Sequence, residues 1–287
     1  MKQPLESPVS PEFPACRTNA LTRRDLLRLS AGSLLALGLW PGARRAEGAG
    51  TSEEFSFIAV NDLHFQSERC GPWFERVVRQ MKASEPKPAF CLMSGDWSEH
   101  GTAAELGAAR DAFRELGIPV HGVIGNHDYG TGSSRADYDA LFPGAINYVF
   151  EAGGWQWLGL DTSEGQKASG TTVQAHTLAW LDEQLPKLDR KRPTVIFTHF
   201  PLGPLTPYRP GNADALLERL IGYNLQAVFS GHFHGFTQRV LGDVTLTTDR
   251  CCAISRANHD RTPEKGYFLC AAKDGRITRT FVEVPVA

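Results

Sequence analysis

Apolar runs and amphipathic segments alternate along the chain from residue 55 onward. The apolar runs predict strands at 55–60, 89–94 and 120–125, and the segments between them predict helices at 74–83 and 102–117. Parallel strands joined by helical crossovers have this β-α-β-α-β order, and such units are right-handed. The first half of the domain is therefore predicted to contain a parallel sheet.

The second half starts with a change of pattern. Residues 147–162 predict two strands that meet at Gly153-Gly154, which is a hairpin signal. Further strands are predicted at 194–199 and 225–231, helices at 173–188 and 213–222, and a meander of antiparallel strands after Phe236. Two packed sheets with helices outside both fit this order, so the expected class is α/β. No repeat or linker interrupts 51–287, which favours one domain there.

Composition and charge exclude some classes of function. The chain has 287 residues and a formal net charge of −2. Neither a nucleic-acid-binding surface nor attraction to an anionic membrane is indicated. None of the six cysteines forms a C-x-x-C pair. A zinc ribbon is therefore not expected, while Cys91 and Cys270 are expected to be small buried apolar groups. One or two disulfides are an alternative if the protein is exported.

The N-terminal 50 residues form a separate region. Arg23-Arg24 precede an apolar segment of about a dozen residues, which is shorter than the ~20 needed to span a membrane. This arrangement resembles a twin-arginine signal peptide, with cleavage expected within 42–50. It predicts export of a folded protein by the twin-arginine machinery to the periplasm or another extracytoplasmic space, with no stable membrane span in the mature form. The alternatives are a docked amphipathic helix and an uncleaved anchor.

Five predicted strands end in Asp, Asn or His. The five groups are Asn61-Asp62-Leu63-His64, Ser94-Gly95-Asp96, Gly125-Asn126-His127-Asp128, Thr198-His199 and Gly231-His232-Phe233-His234. Ligand sites of open α/β sheets lie at the carboxyl ends of strands. Each group alone is a weak signal, since a strand-end His is usually a polar tip and Asn and Asp are common in turns. The ordered set of five predicts one shared metal site.

Residue spacing suggests how these side chains are aimed. In extended backbone, residues i and i+2 point to the same face, so Asp62 pairs with His64, and His232 with His234. Carboxylates and imidazoles buried without partners are costly, and shared metal ions would remove that cost.

The ordered motifs resemble those of the calcineurin-like metallophosphoesterase family over about 55–235. The resemblance implies a four-layer α-β-β-α sandwich with two mixed sheets. It also implies one ion held by Asp62, His64 and His234, and a second held by Asn126, His199 and His232, with Asp96 bridging them. His127 would face the substrate phosphate, and Asp128 would orient its ring.

The implied reaction is hydrolysis of a small-molecule phosphoester by attack of a metal-bridging hydroxide. Mixed nitrogen and oxygen ligands suit Mn, Fe or Zn rather than Ca or Mg. The segments 160–165, 178–185 and 195–201 resemble the class III cyclic-nucleotide phosphodiesterase-like subgroup, although Phe200 stands where many relatives have a second His. Phosphodiester or nucleotide-type substrates are therefore expected. A phosphomonoesterase and a non-catalytic scaffold of the same fold are the alternatives.

Aromatic and histidine residues that are not expected ligands have more general expected roles. Trp97, Tyr129, Phe200 and Phe233 each neighbour an expected ligand and would either wall a substrate pocket or shield the site from water. The remaining histidines are expected at the surface or in structural positions: His100, His121, His176 and His259.

Overall fold

Eleven strands form two mixed sheets in residues 54–286, the part of the chain that this computed structural model describes. The strands are β1 (Phe55–Val60), β2 (Pro88–Met93), β3 (Val120–Gly122), β4 (Asn147–Ala152), β5 (Trp155–Leu160), β6 (Thr194–Thr198), β7 (Leu225–Ser230), β8 (Thr237–Leu241), β9 (Val244–Thr248), β10 (Gly266–Lys273) and β11 (Arg276–Glu283).

The two sheets differ in their strand order. The first sheet has the order β11-β10-β1-β2-β3, in which β1, β2 and β3 are parallel and the β10–β11 hairpin is antiparallel to β1. The second has the order β4-β5-β6-β7-β9-β8, with β5, β6, β7 and β9 parallel and an antiparallel strand at each edge.

Five α-helices pack on the outer faces of the sheets in the described residues. They are α1 (Gly71–Lys82), α2 (Ala103–Arg114), α3 (Ala136–Leu141), α4 (Ala175–Gln184) and α5 (Ala213–Arg219). The side chain of Thr102 caps α2 by accepting a hydrogen bond from the Glu105 amide. Short 3₁₀ turns follow Ser67, Gly125, Gly130 and Gln184.

Side-chain alternation along β1 explains the layering. Ile58 and Val60 face α1 and α2, while Phe57 and Ala59 face the second sheet. A third apolar cluster joins the second sheet to α4 and α5 through residues such as Leu181 and Leu216. The result is helix, sheet, sheet, helix, which confirms the expected four-layer α-β-β-α fold.

The C-terminal strands correct one expectation. They do not form a single meander, because β8 and β9 close the second sheet, where β9 runs parallel to β7, and β10 and β11 extend the first. The chain crosses between the sheets through the loop 249–265. Polar–apolar alternation indicates that these residues are strands, but it carries no information on which sheet each one joins.

Several element ends also differ from the predictions. β3 stops at Gly122 rather than 125, because its last residue pair with β2 is Met93 with Gly122. Residues 123–125 are not part of a strand. The helix expected over 173–188 ends as α4 at Gln184 and continues as a 3₁₀ turn through Pro186. Helix α3 was not predicted.

The described cysteines and helices bear on two further expectations. Cys70, Cys91, Cys251, Cys252 and Cys270 are all buried and free, so no disulfide joins the cysteines of the described region. Burial raises the pKa of Cys91 and Cys270, as expected for cysteines that act as apolar groups. Among residues 54–286, no helix has the length and apolarity needed to cross a membrane. The predicted signal peptide and Cys16 lie outside the described residues.

Candidate metal centre

The carboxyl ends of β1, β2, β6 and β7, together with the turn that follows β3, bring the seven expected ligand side chains to one buried site. One group contains Asp62, His64, Asp96 and His234, and a second contains Asp96, His199 and His232. The candidate ligand atoms within each group lie within 4.8 Å of one another. Asp96 is common to both groups.

In the first group, nitrogen and oxygen atoms converge on a small volume. His64 Nε2 lies 3.1 Å from His234 Nε2, which is itself 3.2 Å from Asp62 Oδ1. Asp96 Oδ2 lies 3.5 Å from His64 Nε2. All four side chains are buried.

The second group is arranged in the same way around His199. Its Nε2 lies 3.2 Å from His232 Nδ1, 3.0 Å from Asn126 Oδ1 and 3.3 Å from Asp96 Oδ1. The two carboxylate oxygens of Asp96 therefore face different groups, Oδ2 the first and Oδ1 the second.

The backbone that carries these side chains is not extended. Asp62, His64, Asp96, His232 and His234 all have positive φ, between 44° and 64°. The expectation that i and i+2 residues share a face of a strand was therefore wrong, because the strands end before the ligands, at Val60 and Ser230. Left-handed backbone is costly for residues other than glycine and is concentrated at functional sites.

Two glycines make room for this arrangement. A Cβ on Gly125 would lie 2.1 Å from Asp96 Oδ1, and one on Gly231 would lie 2.8 Å from Asp62 Oδ2. Both glycines permit a close approach between backbone and a candidate ligand.

Proton distribution follows from burial and from the neighbouring charges. Burial alone would raise the pKa of Asp62, but the charge and hydrogen bond of His234 lower it to about 2. Burial alone would lower the pKa of His199 and His234, but Asp96 raises the first to about 9 and Asp62 raises the second to about 11. Asp96 and Asp62 thus favour the protonated forms of the His199 and His234 imidazoles, respectively.

His64 and His232 behave in the opposite way. Burial, as the largest cause, lowers the pKa of each to about 3, so both rings are neutral and have a free lone pair. Neutral imidazoles and ionised carboxylates are the forms that bind metal ions.

In the second group, backbone carbonyl oxygens contact the imidazole nitrogens that are not candidate metal ligands. His199 Nδ1 lies 2.9 Å from the Ser94 carbonyl oxygen, and His232 Nε2 lies 2.9 Å from that of Ala168. Such contacts fix the ring orientation and the tautomer that leaves the other nitrogen for a metal. The donor set and its support thus fit bound metal cations.

His127 and Asp128 lie beside the centre, in different roles. His127 is 28% exposed, and its Nδ1 lies 2.8 Å from the Glu99 carbonyl oxygen. The Asp128 carboxylate accepts hydrogen bonds from the Gly125 amide and from the amide and hydroxyl of Ser98. This corrects the expected role of Asp128, which holds the turn before His127 rather than the His127 ring.

Three side chains near the centre were missed as site residues by sequence reasoning. Glu99 Oε2 lies 3.0 Å from His64 Nδ1, but the geometry is not that of a hydrogen bond. Glu99 also forms an ion pair with Arg256. His259 stacks on His234 with ring centroids 5.1 Å apart. The position of Glu99, three residues after Asp96, is a sequence signal for a place near the centre, whereas Arg256 and His259 come from a distant loop without periodicity.

The aromatic neighbours divide into core and surface residues. Trp97 and Phe200 are buried, and Trp97 donates to the Val123 carbonyl oxygen at 3.2 Å. Tyr129 is also buried, while Phe233 is half-buried and contacts His259. Of these four residues, only Phe233 is exposed enough to contact a bound substrate.

Comparison with known proteins identifies the sequence relatives of this chain. The model of the calcineurin-like phosphoesterase family matches residues 55–236. A probable cyclic nucleotide phosphodiesterase of Synechococcus sp. is 28% identical over 74% of this chain and 85% of that protein. A glycerophosphodiester phosphodiesterase of Enterobacter lignolyticus is 27% identical over 66% of this chain and 74% of that protein.

Solved structures share the architecture at low sequence identity. GAP50, the anchor in the inner membrane complex of Plasmodium, superposes with a TM-score of 0.60 at 12% identity, over 80% of this chain and 85% of that one. A purple acid phosphatase from yellow lupin seeds gives a TM-score of 0.58 at 13% identity, over 82% of this chain and 52% of that one. At these identities the similarity concerns the fold.

Proposed function

The chain belongs to the calcineurin-like phosphoesterase family and is a hydrolase, and we propose that it is a dinuclear metal-dependent phosphodiesterase. The observation that carries this proposal is the position of Asp96, whose two carboxylate oxygens face two separate groups of ligand atoms. A single carboxylate shared in this way suits two ions better than one.

The contacts support one assignment of residues to each proposed site. One ion would be held by Asp62, His64 and His234. The other ion would be held by Asn126, His199 and His232, and Asp96 would contact both ions. When bound, two such ions polarise a phosphoryl oxygen and activate water for in-line attack. The ligand set of nitrogen and oxygen donors favours Mn, Fe or Zn.

The protein supplies a proton donor beside the ions. The His127 side chain is partly exposed and its ring centroid lies 4.7 Å from that of His64, while its Nδ1 lies 2.8 Å from the Glu99 carbonyl oxygen. Because Nδ1–H donates to this carbonyl oxygen, Nε2 would donate to a phosphoryl oxygen or to the leaving oxygen of the ester only from the imidazolium form, which carries a proton on both nitrogens. Asp128 fixes the turn that places the His127 backbone amide 3.0 Å from Asp96 Oδ1.

A diester substrate is supported by the sequence relatives that are named phosphodiesterases. A phosphomonoester substrate is the second candidate, since a protein of Mus musculus named serine/threonine-protein phosphatase is 28% identical over 64% of this chain and 66% of that protein. Hydrolysis of bis(p-nitrophenyl) phosphate and p-nitrophenyl phosphate, after reconstitution with Mn, Fe or Zn, separates the two. We expect a higher kcat/KM for the diester, and a higher value for the monoester would contradict the proposal.

We also propose that residues 1–50 direct export of residues 51–287 as one folded domain through the twin-arginine machinery. The paired Arg23-Arg24 before a short apolar segment support this. Arg23→Lys with Arg24→Lys should leave the protein in the cytoplasm when it is expressed in a bacterium that has this machinery. Fractionation of cells with an immunoblot measures this, and unchanged export of the double variant would argue against it.

A further inference from the structure

Three aromatic rings from three separate segments meet at the mouth of the metal centre. They are Tyr208 from the loop between β6 and α5, Phe233 between two ligand histidines, and His259 from the loop 249–265. The ring centroids of Tyr208 and His259 are 5.9 Å apart, those of Phe233 and His259 are 5.9 Å apart, and those of Tyr208 and Phe233 are 6.4 Å apart.

Two of these rings, Tyr208 and His259, contact imidazoles of the two groups of ligands. Tyr208 meets His232 edge to face, with centroids 5.0 Å apart and planes at 88°. His259 stacks on His234 at 5.1 Å with planes at 23°. A molecule whose phosphate reached the centre would therefore place its next group against these rings.

Tyr208 is held in this position with a strained backbone conformation. Tyr208 has φ 63° and Leu205 of the same loop has φ 56°, which are unfavourable values for bulky side chains. The loop is fixed rather than loose, because Arg209 Nε donates to the Leu202 carbonyl oxygen at 2.9 Å and Arg239 Nε donates to that of Pro204 at 3.3 Å. Strain that the surrounding structure maintains at a site is a sign of function.

A buried lysine fastens the loop that carries His259. The Nζ of Lys265 lies 2.6 Å from the Arg256 carbonyl oxygen, 2.9 Å from Cys251 Sγ and 3.2 Å from Asn258 Oδ1. The His259 amide donates to the His234 carbonyl oxygen at 2.8 Å. This loop lies beyond residues 55–236, the range that matches the family model.

The exposure of these three rings favours a binding surface over a role in shielding the centre from water. Trp97 and Phe200 already fill the space behind the ligands and are buried. Tyr208 is 39% exposed, His259 is exposed and Phe233 is half-buried. Rings that only excluded water would be covered themselves, whereas these three keep part of their surface open beside the centre.

We propose that Tyr208, Phe233 and His259 form a stacking subsite for a planar aromatic group, such as a nucleobase, carried by the phosphoester. This rests on the proposed phosphodiesterase function and narrows its substrates to esters with an aromatic group next to the phosphate. Stacking on aromatic side chains accepts any flat ring, so the subsite selects for planarity rather than for one base.

Binding tests the subsite without relying on catalysis. Calorimetric titration of the manganese-loaded protein should give a dissociation constant for adenosine 5′-monophosphate about tenfold lower than for ribose 5-phosphate, which lacks the base. Tyr208→Leu and His259→Leu should each remove most of this difference, and Tyr208→Phe should keep it. Leu205→Ala is the matched control, since Leu205 lies in the same loop, also has positive φ, and is 93% exposed.

Kinetics provides the second readout. Bis(p-nitrophenyl) phosphate and methyl p-nitrophenyl phosphate share a leaving group and differ in the other arm. The wild type should favour the first in kcat/KM, mainly through KM, and Tyr208→Leu should reduce that preference several-fold. Equal affinities for the two monophosphates, or a similar loss in Leu205→Ala, would overturn the subsite. Preference for the nucleotide without turnover of either ester would support the subsite and contradict the phosphodiesterase function.

Discussion

Two buried regions of the same sandwich contrast sharply in chemistry. The inter-sheet aromatic layer, defined by Phe57, Phe90, Phe150, Trp155 and Trp157, packs rings against rings. Phe57 and Phe90 are 5.3 Å apart and stacked, and Phe90 and Trp157 are 4.9 Å apart and edge to face. The ligand edge, defined by Asp62, His64, Asp96, Asn126, His199, His232 and His234, is equally buried but is polar throughout.

The difference shows that stability and function are divided between these regions. The aromatic layer removes large apolar areas from water, which stabilises the fold. The ligand edge instead gathers ionisable groups and left-handed backbone, both of which cost free energy without a bound cation. Substitutions in the two regions should therefore change different measurements.

Of these substitutions, Asp96→Asn should have the largest effect, and this effect should be on activity. The amide keeps an oxygen that can accept from the His127 backbone, as Asp96 Oδ1 does at 3.0 Å, but it removes the charge that both groups share. We expect kcat/KM for bis(p-nitrophenyl) phosphate to fall by about 10³-fold or more, at the upper end of the loss of one transition-state-stabilising group. The circular dichroism spectrum should be unchanged, and retention of a tenth of the activity would contradict a bridging role.

Trp157→Ala should have the largest effect on stability. The Trp157 side chain is fully buried between the sheets and contacts Phe57, Phe90 and Phe150. Its truncation should lower the free energy of unfolding by about 3–5 kcal/mol. Urea denaturation measures this, with the exposed Val240→Ala as a control expected within about 0.5 kcal/mol of wild type. A folded variant with greatly reduced kcat would show that the regions are not separate.

His121 should give a smaller, pH-dependent effect at the border of the aromatic layer. It stacks on Phe150 at 3.5 Å, and burial lowers its pKa from 6.5 to about 4. The unfolded chain therefore binds an extra proton between these values, so this contribution is complete above pH 6.5 and is lost as the pH falls towards 4. After a discount for partial exposure, the loss of stability amounts to about 1 kcal/mol at pH 5.

The measurement compares the wild type and His121→Phe by urea denaturation at pH 7.5 and 5.0, both with a chelator so that metal release does not contribute. The wild type should lose about 1 kcal/mol more than the variant between the two pH values. Equal losses would mean that His121 is not kept neutral by its packing.

Much of this architecture was accessible from the sequence because its signals are local. Apolar runs that end in Asp, Asn or His located five strand ends, and the common edge of parallel strands explains why those residues meet. The reason given for their orientation failed, since positive φ at residues such as Asp62 and His234 is set by hydrogen bonds between neighbouring loops. Arg256 and His259 could not be found, because their loop reaches the centre only after the chain crosses between the sheets.

The number and position of bound metal ions test the central claim most directly. A crystal of the protein reconstituted with manganese, measured at a wavelength where manganese scatters anomalously, would locate each ion. We predict two peaks per chain, one beside Asp62, His64 and His234 and the other beside Asn126, His199 and His232, with Asp96 between them. A single peak, or none at these residues, would contradict a dinuclear centre.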